Sequence, residues 1–132
     1  MENGVLETIT AFLNSDGGTL PIGVSDDGQS LGLGLEGLPN RDKQQLHLVN
    51  LMPQRFGAQF PRFVNLSVKH VDGAEVLRVD CQPSPIPVFM AYENQQRFFY
   101  VRFGPSSTEL PVGDATEYIL REFHADGAGV GG

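Results

Sequence analysis

Arg97 to Phe103 carries the residues of this sequence best suited to chemistry on a polyanion, because two arginines there flank a run of rings. If the segment is a strand, Phe98, Tyr100 and Arg102 share one face while Phe99, Val101 and Phe103 share the other. Guanidinium groups beside exposed rings hold a phosphate backbone while bases stack, which nominates Arg97, Tyr100 and Arg102 as nucleic-acid-binding residues. A structural reading competes with it: one aromatic face lies in the core, the other under a helix, and Arg102 pairs with an acidic neighbour.

Other chemistry is weakened by spacing. Gly32-x-Gly34-x-x-Gly37 matches the dinucleotide fingerprint literally, but Pro39 and Asn40 stand where a helix N-terminus should meet phosphate, so no nucleotide cofactor is expected. His47, His70 and His124 lack metal-ligand spacing. The single cysteine, Cys81, cannot form an internal disulfide and reads as a packed thiol. Asp26-Asp27-Gly28 has the composition of a turn between two strands.

Sixteen acidic against nine basic residues give a formal net charge of −7. This is the reverse of a self-sufficient nucleic-acid binder, although affinity depends on the charges close to the phosphates. The 132 residues, 40% hydrophobic, suffice for one core, giving one domain over residues 1–125 and a disordered tail over 126–132, where four of seven residues are glycine. No apolar run approaches the ~20 residues of a membrane span. The start, Met-Glu-Asn-Gly, lacks the order of a secretory signal. A cytoplasmic protein with no membrane partner is expected.

The elements that must position these residues follow from periodicity. Val5, Ile9 and Phe12, with Leu6 and Leu13 beside them, predict a helix ending at Asn14–Gly18. Thr19–Val24 reads as a strand with Pro21 at a sheet edge, Ser25–Gly28 as a turn, and Ser30–Leu35 as a returning strand. A second helix from Asp42 is expected to bury Leu46, Val49 and Met52 and to kink or stop at Pro53. Val64–Val68 and Val76–Cys81 form a hairpin around Asp72-Gly73. Pro83, Pro85 and Pro87 break the chain before a short apolar stretch, a polar loop and the Arg97–Phe103 strand. Asp114-Ala115-Thr116-Glu117 resembles a capping box opening a last helix with Tyr118, Ile119 and Phe123. The fold class is α+β, a mainly antiparallel sheet with hairpins covered by about three helices.

Three stretches together resemble the Schlafen AlbA-type domain. Ala11-Phe12-Leu13-Asn14-Ser15-Asp16-Gly17-Gly18 through Ile22-Gly23-Val24-Ser25-Asp26 is similar to the family's Ala-Phe-x-Asn-x-x-Gly-Gly-x-x-x-Ile-Gly-Val-x-Asp signature. Asn40-Arg41-Asp42 with Leu46 to Leu51 is the second. The third is Arg78-Val79-Asp80, Pro83-Ser84-x-x-Pro87-Val88 and Phe99-Tyr100-Val101-Arg102-x-Gly104. The resemblance implies a DNA- or RNA-associated module, since bacterial members are described as DNA-binding domains and animal relatives include RNA endonucleases. In those nucleases two glutamates upstream of the first helix act with an Asp after Gly-Val. Asp26 matches that Asp, which makes it the implied catalytic residue and, with Asp27, the implied ligand of Mg2+ or Mn2+; clustered carboxylates hold a hard cation that activates water.

The upstream glutamate segment is expected to be lacking here. Glu2 and Glu7 have its spacing, but Glu7 falls within the first helix and suits the helix dipole instead. The chain alone is therefore not expected to be catalytically active. Its alternatives are a metal-dependent endoribonuclease completed by carboxylates from elsewhere, or a protein-interaction module, including a homo-oligomer, that pairs strand edges. Pro105 departs from the family's Gly-Asn-Ser-Thr, removing a polar side chain from that loop.

Overall fold

The computed structural model describes residues 3–22, 41–72 and 74–123. Asp26, Asp27, the glycine fingerprint, the proposed return strand Ser30–Leu35, His124 and the 126–132 tail lie outside the described residues. Helix α1 (Asn3–Leu13) is followed by β1 (Gly18–Ile22), α2 (Arg41–Phe56), a 3-10 turn (Pro61–Phe63), β2 (Val64–Val71), β3 (Ala74–Cys81), β4 (Met90–Ala91), β5 (Arg97–Phe103), β6 (Ser106–Leu110) and α3 (Val112–Glu122). The strands form two antiparallel sheets ordered β1-β3-β2 and β4-β5-β6, so the fold is α+β. Among the described residues no helix is long and apolar enough to cross a membrane.

Helix α1 packs against strands of both sheets. Its sequence reflects that: Val5, Leu6, Ile9, Ala11, Phe12 and Leu13 are all at most 8% exposed, too many for a one-sided stripe. Thr10, also buried, satisfies its hydroxyl on the Leu6 carbonyl at 2.7 Å. Burying five large apolar side chains contributes on the order of 10 kcal/mol, an upper figure because the unfolded chain is not fully extended.

The helix ends in a tight turn that only glycine fits. A side chain at Gly17 (φ +79°) would place its Cβ 2.6 Å from the Cys81 carbonyl oxygen, and one at Gly18 would place it 2.7 Å from the Phe12 ring. Asn14, 2% exposed, locks this turn to the second sheet. Its Nδ2 donates to the carbonyls of Val88 (2.8 Å) and Tyr100 (2.9 Å), and its Oδ1 accepts from the Val88 N–H at 2.8 Å. One amide thereby satisfies three buried backbone groups more than seventy residues away, and the Tyr118 hydroxyl of α3 donates to the Asn14 carbonyl at 2.6 Å.

Strand β5 is buried on both faces. Tyr100 packs into the main core with α1, whereas Phe99 and Val101 pack beneath Ala115, Tyr118 and Ile119 of α3. Pro21 sits on β1, an edge strand, where a proline is tolerated, and the β2–β3 hairpin pairs Val71 with Ala74.

Four expectations are corrected. Helix α2 buries Gln44, Leu48, Met52 and Phe56, leaving Leu46 and Val49 at 55% and 45% exposure. Both stripes have helical spacing, but the one through Leu48 runs on to Phe56 and reaches the sheets with more apolar surface. The helix also continues through Pro53, which faces solvent where water can bond the Val49 carbonyl that the proline leaves unpaired. Of the loop expected over residues 104–108, residues 106–108 belong instead to β6, joined to β5 by the two-residue turn Gly104-Pro105 with Gly104 at φ +57°. Finally α3 starts at Val112, with Pro111 rather than Asp114 at its N-cap; Asp114 lies in the first turn, where its charge suits the helix N-terminus.

Asn14→Ala strands three buried backbone groups and should cost roughly 3–5 kcal/mol in urea unfolding, enough to unfold a marginal domain. Met52→Ala should cost roughly 2–4 kcal/mol whereas Leu46→Ala stays within about 0.5 kcal/mol, and equal losses would contradict the α2 register. Burial pushes the Cys81 thiol from 9.0 up to about 12, so alkylation at pH 8 should require unfolding. Above pH 9 the unfolded chain loses this proton and the folded chain keeps it, so stability should fall as pH rises toward 12.

Candidate nucleic-acid interface

The strand that carries Arg97, Tyr100 and Arg102 does not bring them together. Arg97 and Arg102 are an odd number of residues apart, so they project from opposite faces of β5, ~17 Å apart along it. Arg97 is exposed and borders an apolar cleft of about 400 Å³ between Phe89, Phe99, Leu110 and Ile119. Tyr100 is 7% exposed and offers no ring face to a base. Its hydroxyl bonds that of Tyr92, which donates to the Glu7 carboxylate at 2.5 Å. Burial first, and the Glu7 charge, hold both phenols above the ordinary tyrosine range, so they act as fixed neutral donors. Glu7 therefore belongs to an interior hydrogen-bond chain rather than to the first turn of α1.

Arg102 is built into a different setting, where the end of α1 meets the β5–β6 turn. Its N–H donates to Ser15 Oγ at 2.9 Å, fixing the backbone; its Nη1 donates to Ser107 Oγ at 2.7 Å; its guanidinium lies 4.9 Å over the Phe12 ring. Ser107 Oγ in turn reaches Thr8 Oγ1 on α1 at 3.3 Å. The acidic partner anticipated for Arg102 is not found: among the described residues it makes no ion pair. A stacked, hydrogen-bonded guanidinium has already lost its rotamer freedom, so an incoming anion does not bear that cost.

The cleft it lines is polar, about 420 Å³, bounded by Phe12, Ser15, Asp16, the Gly17–Thr19 segment, Arg102 and Gly104. Gly17 and Gly18 leave backbone, not side chains, on that wall. Thr19 Oγ1 donates to Asp80 Oδ1 at 2.7 Å, and Arg78 Nε reaches the same oxygen at 3.0 Å. The Thr19 hydroxyl first, then Arg78, hold the Asp80 carboxyl below the usual carboxylate range. Asp16 also lines an adjoining cleft of about 180 Å³ with Ser84, Tyr118 and Glu122.

The sequence nominated Arg102 but did not reveal the residues that support it. Ser107 was hidden in a segment read as loop, and Phe12 in a stripe read as core. The available signal was Arg102 and Ser107 at cross-strand spacing around Gly104-Pro105, where they are register partners. As for the implied metal, among the described residues no group of three or more His, Cys, Asp or Glu side chains is placed to hold an ion. Asp26 and Asp27 lie outside them, and no metal-dependent step is derived.

A search of solved structures finds the DIP2311 protein from Corynebacterium diphtheriae, with a TM-score of 0.57 and 19% identity over 89% of this chain. At that identity the likeness speaks to fold alone, and the chain spans only 21% of that protein's length. No curated protein matches. The family pattern described as Schlafen, AlbA_2 matches residues 1–111, from α1 to the residue before α3. That span contains the Asn14 lock, the Gly17-Gly18 turn and the Arg102 strand, and the chain belongs to the Schlafen AlbA_2 family.

Proposed function

We propose that this domain is a nucleic-acid-binding module that contacts phosphate through Arg102. The observation that carries the reading is a guanidinium stacked on Phe12, bonded to Ser107, and without an ion-pair partner among the described residues at the side of a polar cleft. Membership of the Schlafen AlbA_2 family supports a nucleic-acid-related role at family level. The net charge of −7 limits how much polyanion the surface tolerates, so affinity is modest, salt-sensitive and concentrated at this locus. Exposed Arg97 lies on the far face of β5 and adds to attraction without sharing the cleft.

Binding of labelled single-stranded RNA, duplex RNA and duplex DNA at low salt tests the reading. Wild type should bind at least one of them, with log affinity falling by about 0.7–0.9 per phosphate neutralised for each decade of salt. Arg102→Gln should weaken it roughly tenfold to a hundredfold, the worth of a charged hydrogen-bonded contact. Equal binding by wild type and variant would reject Arg102 as the contact. Running the same samples with magnesium or manganese reads out the endonuclease alternative, for which metal-dependent cleavage must vanish in Asp26→Asn.

A further inference from the structure

We infer that the Arg102 cleft takes the terminal phosphate of a nucleic-acid strand, an end rather than a stretch of backbone; this deepens, and rests on, the assignment of the cleft to phosphate. Among the described residues the charged groups lining the cleft are one guanidinium, Arg102, and one carboxylate, Asp16. Such a site neutralises one phosphate group and opposes a second. Ser107 and Phe12 occupy one Nη1 hydrogen and one ring face of Arg102, and its other N–H groups have no partner among the described residues. Two parallel N–H groups match two oxygens of one phosphate, and a monoester end has three unbridged oxygens to offer where an internal diester has two.

Two cations beside the cleft are already paired, which disfavours a continuing backbone. Beyond the Thr19 side, Arg78 is already spent on Asp80, which also holds the Thr19 hydroxyl. Beyond the Asp16 side, Arg121 is held by Glu122, a residue of the adjoining cleft. Arg97 projects from the opposite face of β5. A strand passing through would carry phosphates out in both directions past Arg78 and Arg121, which are already paired, whereas an end does so in one direction only.

The test uses internally labelled ten-nucleotide RNA and DNA strands carrying a 5′-phosphate, a 3′-phosphate, only hydroxyl ends, or no ends because they are circular. One phosphate-ended form should bind about tenfold or more tightly than the hydroxyl-ended and circular forms, and which one identifies the polarity. Arg102→Gln should erase that preference. Asp16→Asn, an exposed change that leaves the fold intact, should strengthen phosphate-ended binding several-fold and serves if Arg102→Gln does not fold. Equal affinity for all four forms, weakened equally by Arg102→Gln, overturns the end preference and leaves the phosphate assignment standing. No binding of any form by folded wild type overturns both.

Discussion

Asn14 is the interaction on which the rest of this domain depends. A single buried amide bonds the carbonyl and N–H of Val88 and the carbonyl of Tyr100, coupling the end of α1 to the proline-rich segment and to β5. Without it those groups would be buried and unpaired, each costing more than the bond itself is worth. The adjacent Gly17-Gly18 turn then brings β1 against β3 at a separation that admits no Cβ, so the first sheet inherits its position from the same point. Placement of the Arg102 cleft between the helix end and the β5–β6 turn follows from that lock.

Legibility from sequence tracked how local the determining interaction was. The β2–β3 hairpin was readable because alternation and Asp-Gly encode it within twenty residues, and the register agrees. The stripe of α2 was not: Leu46/Val49 and Leu48/Met52 both have helical spacing, and the choice belongs to Phe56 and the sheets it meets, which periodicity does not contain. Strand β6 was lost because Ser106-Ser107-Thr108 has little apolar alternation; its pairing is dictated by β5 across a two-residue turn.

The site divided along the same line. Arg102 and Tyr100 were both nominated from the sequence, but the type of a side chain does not state its depth. Tyr100 shares a strand face with Arg102 and ends in the core because that part of β5 lies against α1, while Arg102, two residues on, reaches the open end of the helix. The family signature had a structural meaning that the resemblance did not convey: its Asn and Gly pair are the lock and the close approach.

Burial of β5 on both faces constrains how this surface can diversify. A one-residue insertion or deletion within Phe98–Val101 would exchange the two faces downstream, turning Arg102 toward the α3 side and Phe103 toward the cleft. The guanidinium thus cannot be relocated independently of the core. Variation in the lining of the cleft is channelled instead into exposed side chains that do not support the core, Asp16 and Thr19.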